Sequence, residues 1–208
     1  MAKARSPDFK TELCRVSFAQ SLFKARSQND DGSKPKFGCT LIFPKTCNRA
    51  SLEGALKQVI IDEWGEKGLE RAKAGLIKSP FLDGAGKEAR NKKTGELHPG
   101  FGLDVFFIRV QSLNQPAVFD KMTPGTEATV YSGCYGKAVI NAFSWHDDRN
   151  GDGVSFGIQM FQKLQDGERI GGSGGVDPEK WLEAVADEGP APESTKTGAG
   201  AGGLFGNM

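Results

Sequence analysis

The chain has 208 residues, enough for one domain of about 150 to 180 residues with unstructured ends. Hydrophobic residues make up 38% of it, and 28 glycines and 10 prolines indicate many turns. No apolar run approaches the roughly 20 residues that span a bilayer, and the charged residues 1–10 precede no apolar segment of the kind a signal peptide has. We therefore expect a cytosolic, loop-rich β protein that does not bind a membrane.

The net charge of +1 conceals a division along the chain. Residues 1–100 carry 19 Lys and Arg against 12 Asp and Glu, a net +7, whereas residues 101–175 sum to −2 and residues 176–208 to −4. A basic body with an acidic tail is typical of a polyanion binder, because Lys and Arg release counterions from phosphates. A solubilising surface would explain the same basic half, and that alternative stays open.

The first half of the chain predicts two strands and then a helix. Residues 12–22 alternate in the manner of a strand, and a cluster of turn-forming residues at 27–35 leads into a second strand at 36–43. Ser51 fits the N-cap of a helix whose apolar residues recur at helical spacing, with an extension as far as residue 73. This order indicates a hairpin with a long loop, followed by a helix.

The second half predicts three further strands. Residues 75–100 are rich in Gly, Lys, Asn and Pro, which predicts a long, partly mobile excursion of the kind that often carries function. Strand character returns at 103–110. The longest strand-like stretch, 127–145, is interrupted by glycines at which barrel strands often bulge, and a last strand follows at 154–163.

Five main strands, with no regular alternation of strand and helix, argue against a doubly wound sheet. The expected fold class is mainly β: a five-stranded barrel like the oligonucleotide-binding (OB) fold, with a helical insertion between strands 2 and 3. A β-sandwich has similar strand counts and remains an alternative.

Composition also sets the expected domain boundaries. We expect a flexible N-terminus over residues 1–10, the barrel domain over 11–175 and a disordered tail over 176–208, acidic first and then rich in Gly and Ala. Leu204 and Phe205 form an apolar pair near the end of that tail.

The motifs that suggest chemistry are weak. Residues 148–153 (DRNGDG) resemble the start of a calcium-binding loop, but the twelfth position is Gln159 rather than a bidentate Glu, so a β-turn is the better interpretation. Four scattered cysteines form no CxxC pair, and His98 and His146 lie in no catalytic signature. We therefore expect buried, reduced thiols, no metal, no cofactor and no enzymatic activity.

Aromatic and basic side chains on one face of the barrel favour a binding function. Alternation through 127–145 places four residues inward: Val130, Cys134, Ala138 and Ile140. The residues between them point outward beside side chains of neighbouring strands, and this outward set comprises Tyr131, Tyr135, Lys137, Phe107, Arg109, Phe161 and Lys163. Single-stranded nucleic acids bind such surfaces, because every base can stack on an aromatic ring while Lys and Arg side chains contact the phosphate backbone. The alternative is that the phenylalanines lie in the core and the tyrosines cover a helix.

Several stretches of sequence point to one family. They are VINAFSW at 139–145, GVSFGIQMFQKLQDGE at 153–168 and the glycine pair at 171–172, together with the KFG strand, the helical insertion and the FFIRVQS strand. As a set they resemble bacteriophage single-stranded-DNA-binding proteins first catalogued as a domain of unknown function. The resemblance covers about residues 10–175.

This resemblance implies an OB barrel, sequence-independent binding of single-stranded DNA (ssDNA), and a role in phage DNA replication, recombination or repair in the cytoplasm of the infected bacterial host. In several such proteins an acidic tail ending in an aromatic residue competes with DNA and recruits replication partners. Here the acidic residues stop at Glu193, and three residues follow Phe205. The expected partners are ssDNA and, through the tail, phage replication or recombination proteins, and a homodimer stays open.

The predicted site binds DNA and is not catalytic. Its stacking candidates are Phe107, Tyr131, Tyr135 and Trp145, and its candidate phosphate contacts are Arg15, Lys36, Lys45, Arg109, Lys137 and Lys163. Two rival functions remain: a metal-dependent nuclease using Asp147, Asp148 and Asp152, and a virion or assembly protein that contacts only other protein.

Overall fold

The computed structural model describes residues 3–27 and 34–170. The elements in chain order are β1 (Phe9–Lys10), β2 (Cys14–Ser17), β3 (Phe37–Pro44), α1 (Ala50–Trp64), α2 (Glu66–Lys73), β4 (Ile77–Lys78), β5 (Leu82–Asp83), β6 (Val105–Ser112), β7 (Ala117–Asp120), β8 (Thr123–Pro124), β9 (Tyr135–Asp147) and β10 (Gly151–Gln165). None of the helices in these ranges is long and apolar enough to cross a membrane. The predicted tail, 176–208, lies outside the described residues.

Five strands close into a barrel in the order β2, β3, β6, β10, β9 and back to β2. Every pairing around this ring is antiparallel except that of β6 with β10, which is parallel. The prediction of a five-stranded barrel is confirmed, and the helices α1 and α2 lie between the second and third barrel strands. This is the strand arrangement of the OB fold.

One apolar core fills the barrel. Alternate residues of each strand point inward, and α1 packs against β9 and β10 and adds its own apolar face to the same core. The buried residues include Val16, Leu41, Phe43, Ile108, Val110, Ala138, Ile140, Phe156 and Ile158 from the strands, with Leu52, Val59 and Ile60 from α1. The four residues predicted to point inward at 130, 134, 138 and 140 are all buried.

Two register shifts change which residues of β10 face inward. They lie between Ile158 and Met160 and between Lys163 and Gln165, where β10 holds more residues than β9 opposite it. An extra residue in one strand reverses the alternation beyond it. Phe161 and Lys163 therefore point into the protein, which corrects the expectation that they lie outward.

The helical insertion consists of two helices. The backbone N–H of Ala50 donates to Asn48 Oδ1 at 2.9 Å, so α1 begins slightly before the predicted cap at Ser51. Gly65 adopts a φ of 67°, a conformation that favours glycine, and it separates α1 from α2.

The N-terminal residues 4–10 pair with β9, which corrects, for these residues, the expectation of a flexible segment over 1–10. The Ser6 N–H donates to Ala142 O at 2.9 Å, and the Ser144 N–H donates to Ala4 O at 3.0 Å. β1 continues this pairing, with Phe9 opposite Ile140. Unpaired backbone groups along β9 explain why the segment is ordered, since it satisfies them.

Three of the four cysteines are buried, and all four are free thiols. Cys14, Cys39 and Cys134 contribute to the barrel core, whereas Cys47 is half-buried. Burial raises the pKa of the Cys14 thiol to about 12, so this group stays protonated at neutral pH.

Replacing Ile158, which is fully buried in the barrel, with alanine is expected to lower the free energy of unfolding by about 2–5 kcal/mol. The matched control is Met122→Ala, because Met122 is 85% exposed and its truncation should change stability by less than about 0.5 kcal/mol. Urea unfolding followed by circular dichroism measures both. Equal midpoints for the two variants would contradict the assignment of Ile158 to the core.

Candidate nucleic-acid interface

A groove of about 700 Å³ crosses the outer face of the barrel where β9, β2 and β3 lie side by side. Its lining is largely apolar, with charged side chains among the apolar ones. The lining residues are Glu12, Leu13, Cys14, Arg15, Ile42, Phe43, Pro44, Cys47, Asn48, Gly100, Phe101, Asp104, Val105 and Tyr135.

Strand alternation explains why these side chains meet. In β2, Cys14 and Val16 point into the core, so Arg15 points outward. Tyr135 is the register partner of Arg15 on β9, and Ile42 is its partner on β3. One cation is thus placed between an aromatic ring and an apolar side chain, with the Arg15 guanidinium 5.7 Å from the centre of the Tyr135 ring.

A row of aromatic rings lies beside the groove. Phe101 lines it, the His98 ring lies 6.2 Å from Phe101, and Phe18 meets His98 edge-on at 5.6 Å. Phe18 is 47% exposed although it is a large apolar residue. Its φ of 57° is rare for a bulky side chain and costs about 1–3 kcal/mol, a strain that is typical of functional sites.

Sequence reasoning missed Phe18, His98 and Phe101. Strict alternation through 12–22 would put Phe18 on the same face as Cys14 and Val16, but β2 ends at Ser17 and a 3₁₀ turn, Ala19–Leu22, follows. His98 and Phe101 lie in the excursion at 75–100 or just after it, where no periodicity assigns a side chain to a face. The length of the excursion at 75–100 was the sequence signal for these residues, since long loops often carry function.

A short segment after β10, residues 166–170, contacts Arg15 of β2 and the loop residues 131–133; we call it the strap. Arg15 donates from Nη2 to Glu168 O at 2.8 Å and from Nε to Gly133 O at 3.2 Å. The backbone N–H of Ile170 donates to Ser132 O at 2.9 Å. The Ile170 side chain is buried on the outer face of β3 and β6.

The Tyr131 side chain contacts three residues of the strap. Its hydroxyl lies 2.9 Å from Asp166 Oδ1 and 3.0 Å from Gly167 O, and the Arg169 guanidinium lies 3.9 Å from the centre of its ring. Burial and the hydrogen bond with Asp166 raise the pKa of Tyr131. Gly133, with a φ of 114°, lets the strap approach, since a Cβ there would collide with Glu168 O.

Two of the predicted cations lie at the ends of the groove face. Lys45 follows β3 and forms an ion pair with Asp83 at 3.0 Å. Lys137 points outward from β9, 4.0 Å from Glu12, a groove residue. The structure therefore brings Arg15, Tyr135, Lys45 and Lys137 into one region.

Arg109 and Lys36 lie toward the opposite end of the β3–β6 face. Arg109 pairs with Thr40 across β3, is about half exposed, and donates from Nη2 to Glu88 O at 2.9 Å. Lys36 is exposed, and its backbone exchanges hydrogen bonds with Arg26.

Phe107 is buried, which corrects its prediction as an exposed stacking residue. Only 1% of its surface is exposed, and its ring meets Phe101 at 4.9 Å. It does point to the outer side of β6, as alternation required, but the excursion and the strap cover it through Ala89 and Ile170. Sequence alternation assigned the side of the sheet and could not show what lies on that side.

Lys163 is also unavailable at the surface. The register shift in β10 turns its side chain inward, where 6% of it is exposed. Its Nζ donates to Thr129 O at 2.8 Å and lies 2.8 Å from Asp166 and 3.6 Å from Asp120. A buried cation with these partners stabilises the fold and is not placed to contact a phosphate of DNA.

Trp145 lies at the far end of β9, away from Tyr135. It is half-buried against Gly153, its register partner on β10, where a Cβ would collide with the indole ring. Lys78 lies 5.9 Å from the centre of the ring. The structure does not bring Trp145 to the groove.

The tip of the β9–β10 hairpin holds a cluster of ion pairs. Asp152 lies 2.7 Å from His146 Nδ1 and 2.6 Å from Arg71 Nη2, and Asp148 lies 3.4 Å from His146 Nε2. These contacts lower the pKa of Asp152, and the hydrogen bond to Asp152 raises the pKa of His146. Over residues 3–27 and 34–170, no three His, Cys, Asp or Glu side chains are grouped as a metal site.

A closed five-stranded barrel whose outer face carries a groove lined by aromatic, apolar and basic side chains defines a protein of the OB-fold class. Within that class, the chain belongs to the family described as "Enterobacter phage Enc34, ssDNA-binding protein", whose model matches residues 8–188.

Individual relatives agree with this assignment. Putative protein p50 of Acyrthosiphon pisum secondary endosymbiont phage 1 is 24% identical over 184 residues, which cover 84% of this chain and 92% of that protein. The ssDNA-binding protein of bacteriophage Enc34 in complex with ssDNA matches with a TM-score of 0.56 at 19% identity, covering 79% of this chain and 89% of that one. The ssDNA-binding protein gp2.5 of bacteriophage T7 matches with a TM-score of 0.50 at 11% identity, covering 91% and 100%. At these identities the solved structures show a shared fold.

The contact between His146 and Asp152 predicts that part of the stability of the fold depends on pH. Because the folded state raises the pKa of His146, its stabilising effect is complete below the free-histidine value of about 6.5 and is lost as the pH rises through the raised value. We expect Asp152→Asn to return the titration midpoint toward about 6.5 in a heteronuclear NMR titration. Asp148→Asn should lower it less, since that carboxylate is 3.4 Å away. An identical midpoint in the parent and in Asp152→Asn would refute the pairing.

Proposed function

We propose that this chain binds ssDNA without sequence preference in the groove across β9, β2 and β3. The observation that carries the proposal is the position of Arg15, a cation held between the Tyr135 ring and Ile42 on the outer face of the barrel. A guanidinium in that position can meet a phosphate while adjacent rings accept bases.

The chemistry of the groove suits stacking better than the reading of base edges. The aromatic row of Phe18, His98 and Phe101 offers ring faces and edges that any base can contact. Apolar side chains such as Leu13 and Val105 cannot distinguish donors from acceptors on a base. Affinity should therefore come from stacking and from phosphate contacts, with little dependence on sequence.

Family membership supports the same function. The family is described by an ssDNA-binding protein of a phage, and the solved Enc34 and T7 proteins are ssDNA-binding proteins by name. From this likeness we propose a role in phage DNA replication, recombination or repair, in the cytoplasm of the infected bacterial host. Phage replication or recombination proteins, and a second copy of the chain, are the proposed protein partners.

The proposed activity is stoichiometric binding without catalysis. The nuclease alternative needs a free carboxylate set, but Asp152 is engaged by Arg71 and His146. Asp147 accepts hydrogen bonds from backbone N–H groups of its own turn. The assembly alternative is favoured if the chain fails to bind ssDNA at low salt.

The exposed ring of Phe18 offers a direct test. We expect Phe18→Ala to weaken binding of a labelled oligo-dT by about 1–3 kcal/mol, the range for one stacked base, in a fluorescence anisotropy titration. Alanine keeps the Cβ atom, so the backbone strain at Phe18 is the same in both proteins. Because the ring is 47% exposed, its loss should change the free energy of unfolding little, and urea unfolding of the variant checks this.

Leu76→Ala is the matched control, because Leu76 is also a large apolar residue, 63% exposed, but lies beyond α2, outside the groove lining. Its affinity should equal that of the parent. Binding by the parent should also weaken steeply with added salt. An affinity that is unchanged in Phe18→Ala would remove Phe18 from the interface.

The acidic tail provides a second test. Residues 176–208 carry six acidic and two basic side chains, and such a segment can compete with DNA for a cationic groove. We expect a chain truncated after Gly175 to bind oligo-dT more tightly than the full chain, with the difference shrinking as salt is raised. Equal affinities at low salt would show that the tail does not compete.

A further inference from the structure

The outer face of β9 continues well beyond the groove. Side chains at alternate positions of this 13-residue strand point outward, and we call this row the β9 stripe: Tyr135, Lys137, Val139, Asn141, Phe143 and Trp145. Tyr135 lines the groove, so the stripe begins inside the proposed site. Trp145 lies ten residue steps along the strand from Tyr135, a distance of about 33 Å.

The far end of the stripe repeats the chemistry of the groove. The Arg5 guanidinium lies 5.6 Å from the centre of the Phe143 ring, and the Lys78 ammonium lies 5.9 Å from that of Trp145. Both rings are half-buried and both cations are exposed. Each pair offers one ring and one positive charge, which is the combination that a nucleotide unit of ssDNA needs.

Neighbouring strands leave five of the six stripe residues partly exposed and add charge to the stripe. Opposite Trp145, β10 carries Gly153, which has no side chain to cover the ring. Asn141 is the exception, because it is buried beside Asp8 and separates the two rings at the far end from the groove end of the stripe. On the other side, exposed Lys10 lies opposite Val139.

The acidic groups along the stripe already have partners. Asp8 accepts a hydrogen bond from Asn141 Nδ2 at 2.6 Å, and Glu12 lies 4.0 Å from Lys137. Asp8 and Glu63, which accepts hydrogen bonds from the Ala4 N–H and Ser144 Oγ, have neutral partners and keep their charge. The three cations at positions 5, 10 and 78 outnumber these two carboxylates, so the stripe carries a net positive charge that extends the one around Arg15.

We propose that ssDNA leaving the groove continues along the β9 stripe, where Phe143 and Trp145 with Arg5 and Lys78 form a second stacking and phosphate-binding station. This inference rests on the proposed function of the groove. At the 3.4 Å rise of a stacked strand, 33 Å corresponds to about ten nucleotides, and to fewer if the strand is extended. This length of about ten nucleotides falls within the site size of 4–16 nucleotides per OB fold.

The test compares a short with a long oligonucleotide. An oligo-dT of about six nucleotides fits the groove alone, whereas one of about 16 nucleotides can also reach the far station. In the full chain, the double variant Arg5→Ala/Lys78→Ala should bind the short oligonucleotide like the parent. It should bind the long one more weakly, with the slope of log affinity against log salt reduced by about 1.4, or about 0.7 for each lost contact.

Two further variants complete the design. Phe143→Ala should weaken binding of the long oligonucleotide about fivefold or more, the loss of one stacked base, and leave the short one unchanged. Lys57→Ala/Lys67→Ala removes two exposed lysines from α1 and α2 and should behave like the parent with both lengths.

The outcomes separate the two proposals. If the parent binds neither oligonucleotide at low salt, the groove function fails, and the stripe fails with it. If the parent binds both and the Arg5/Lys78 variant matches it at both lengths, the groove stands and the stripe is overturned. Equal losses at both lengths also overturn it. Unchanged affinity with altered self-association in sedimentation velocity would assign the stripe to a second copy of the chain.

Discussion

The long antiparallel pairing of β9 with β10 is the constraint on which the rest of the structure depends. It extends from Gly151 opposite Asp147 to Gln165 opposite Tyr135. β10 also runs parallel to β6, and β9 also pairs with β2, so this one hairpin closes the ring. Closure removes free strand edges, and the two register shifts in β10 determine which side chains fill the interior. The outward position of Tyr135 and the inward position of Lys163 both follow from this register.

The strap follows the last barrel strand and forms one border of the groove. It is bonded through Arg15, Tyr131 and Ser132, two of which the sequence had suggested for DNA contacts. Ile170 then joins Ile42 and Phe107 in a small second core on the outer face of β3 and β6. Part of the face that OB folds use for binding is therefore covered by the protein itself, and the open groove lies toward β2 and β9.

Sequence patterns were reliable where a period or a resemblance applied. The barrel, the placement of the helices and the inward residues of β9 followed from alternation and from the family-like stretch at 139–168.

The errors have separate physical causes. A register shift reversed Phe161 and Lys163, a left-handed backbone at Phe18 ended β2 early, and the excursion covered Phe107. None of these leaves a period in the sequence, because each depends on contacts between distant residues. The aromatic row at Phe18, His98 and Phe101 was missed for the same reason.

The way Arg15 is held has a consequence for how quickly a ligand can be accepted. Its two hydrogen-bond acceptors are backbone carbonyls, of Gly133 and Glu168. Lys45 and Lys137, in contrast, face carboxylates. A cation that faces a carboxylate must exchange one anion for another when it meets a phosphate, whereas Arg15 keeps its full charge and its orientation before and after the encounter. The groove thus contains one positive centre that needs no rearrangement to receive a polyanion, and this centre is suited to be the first point of capture.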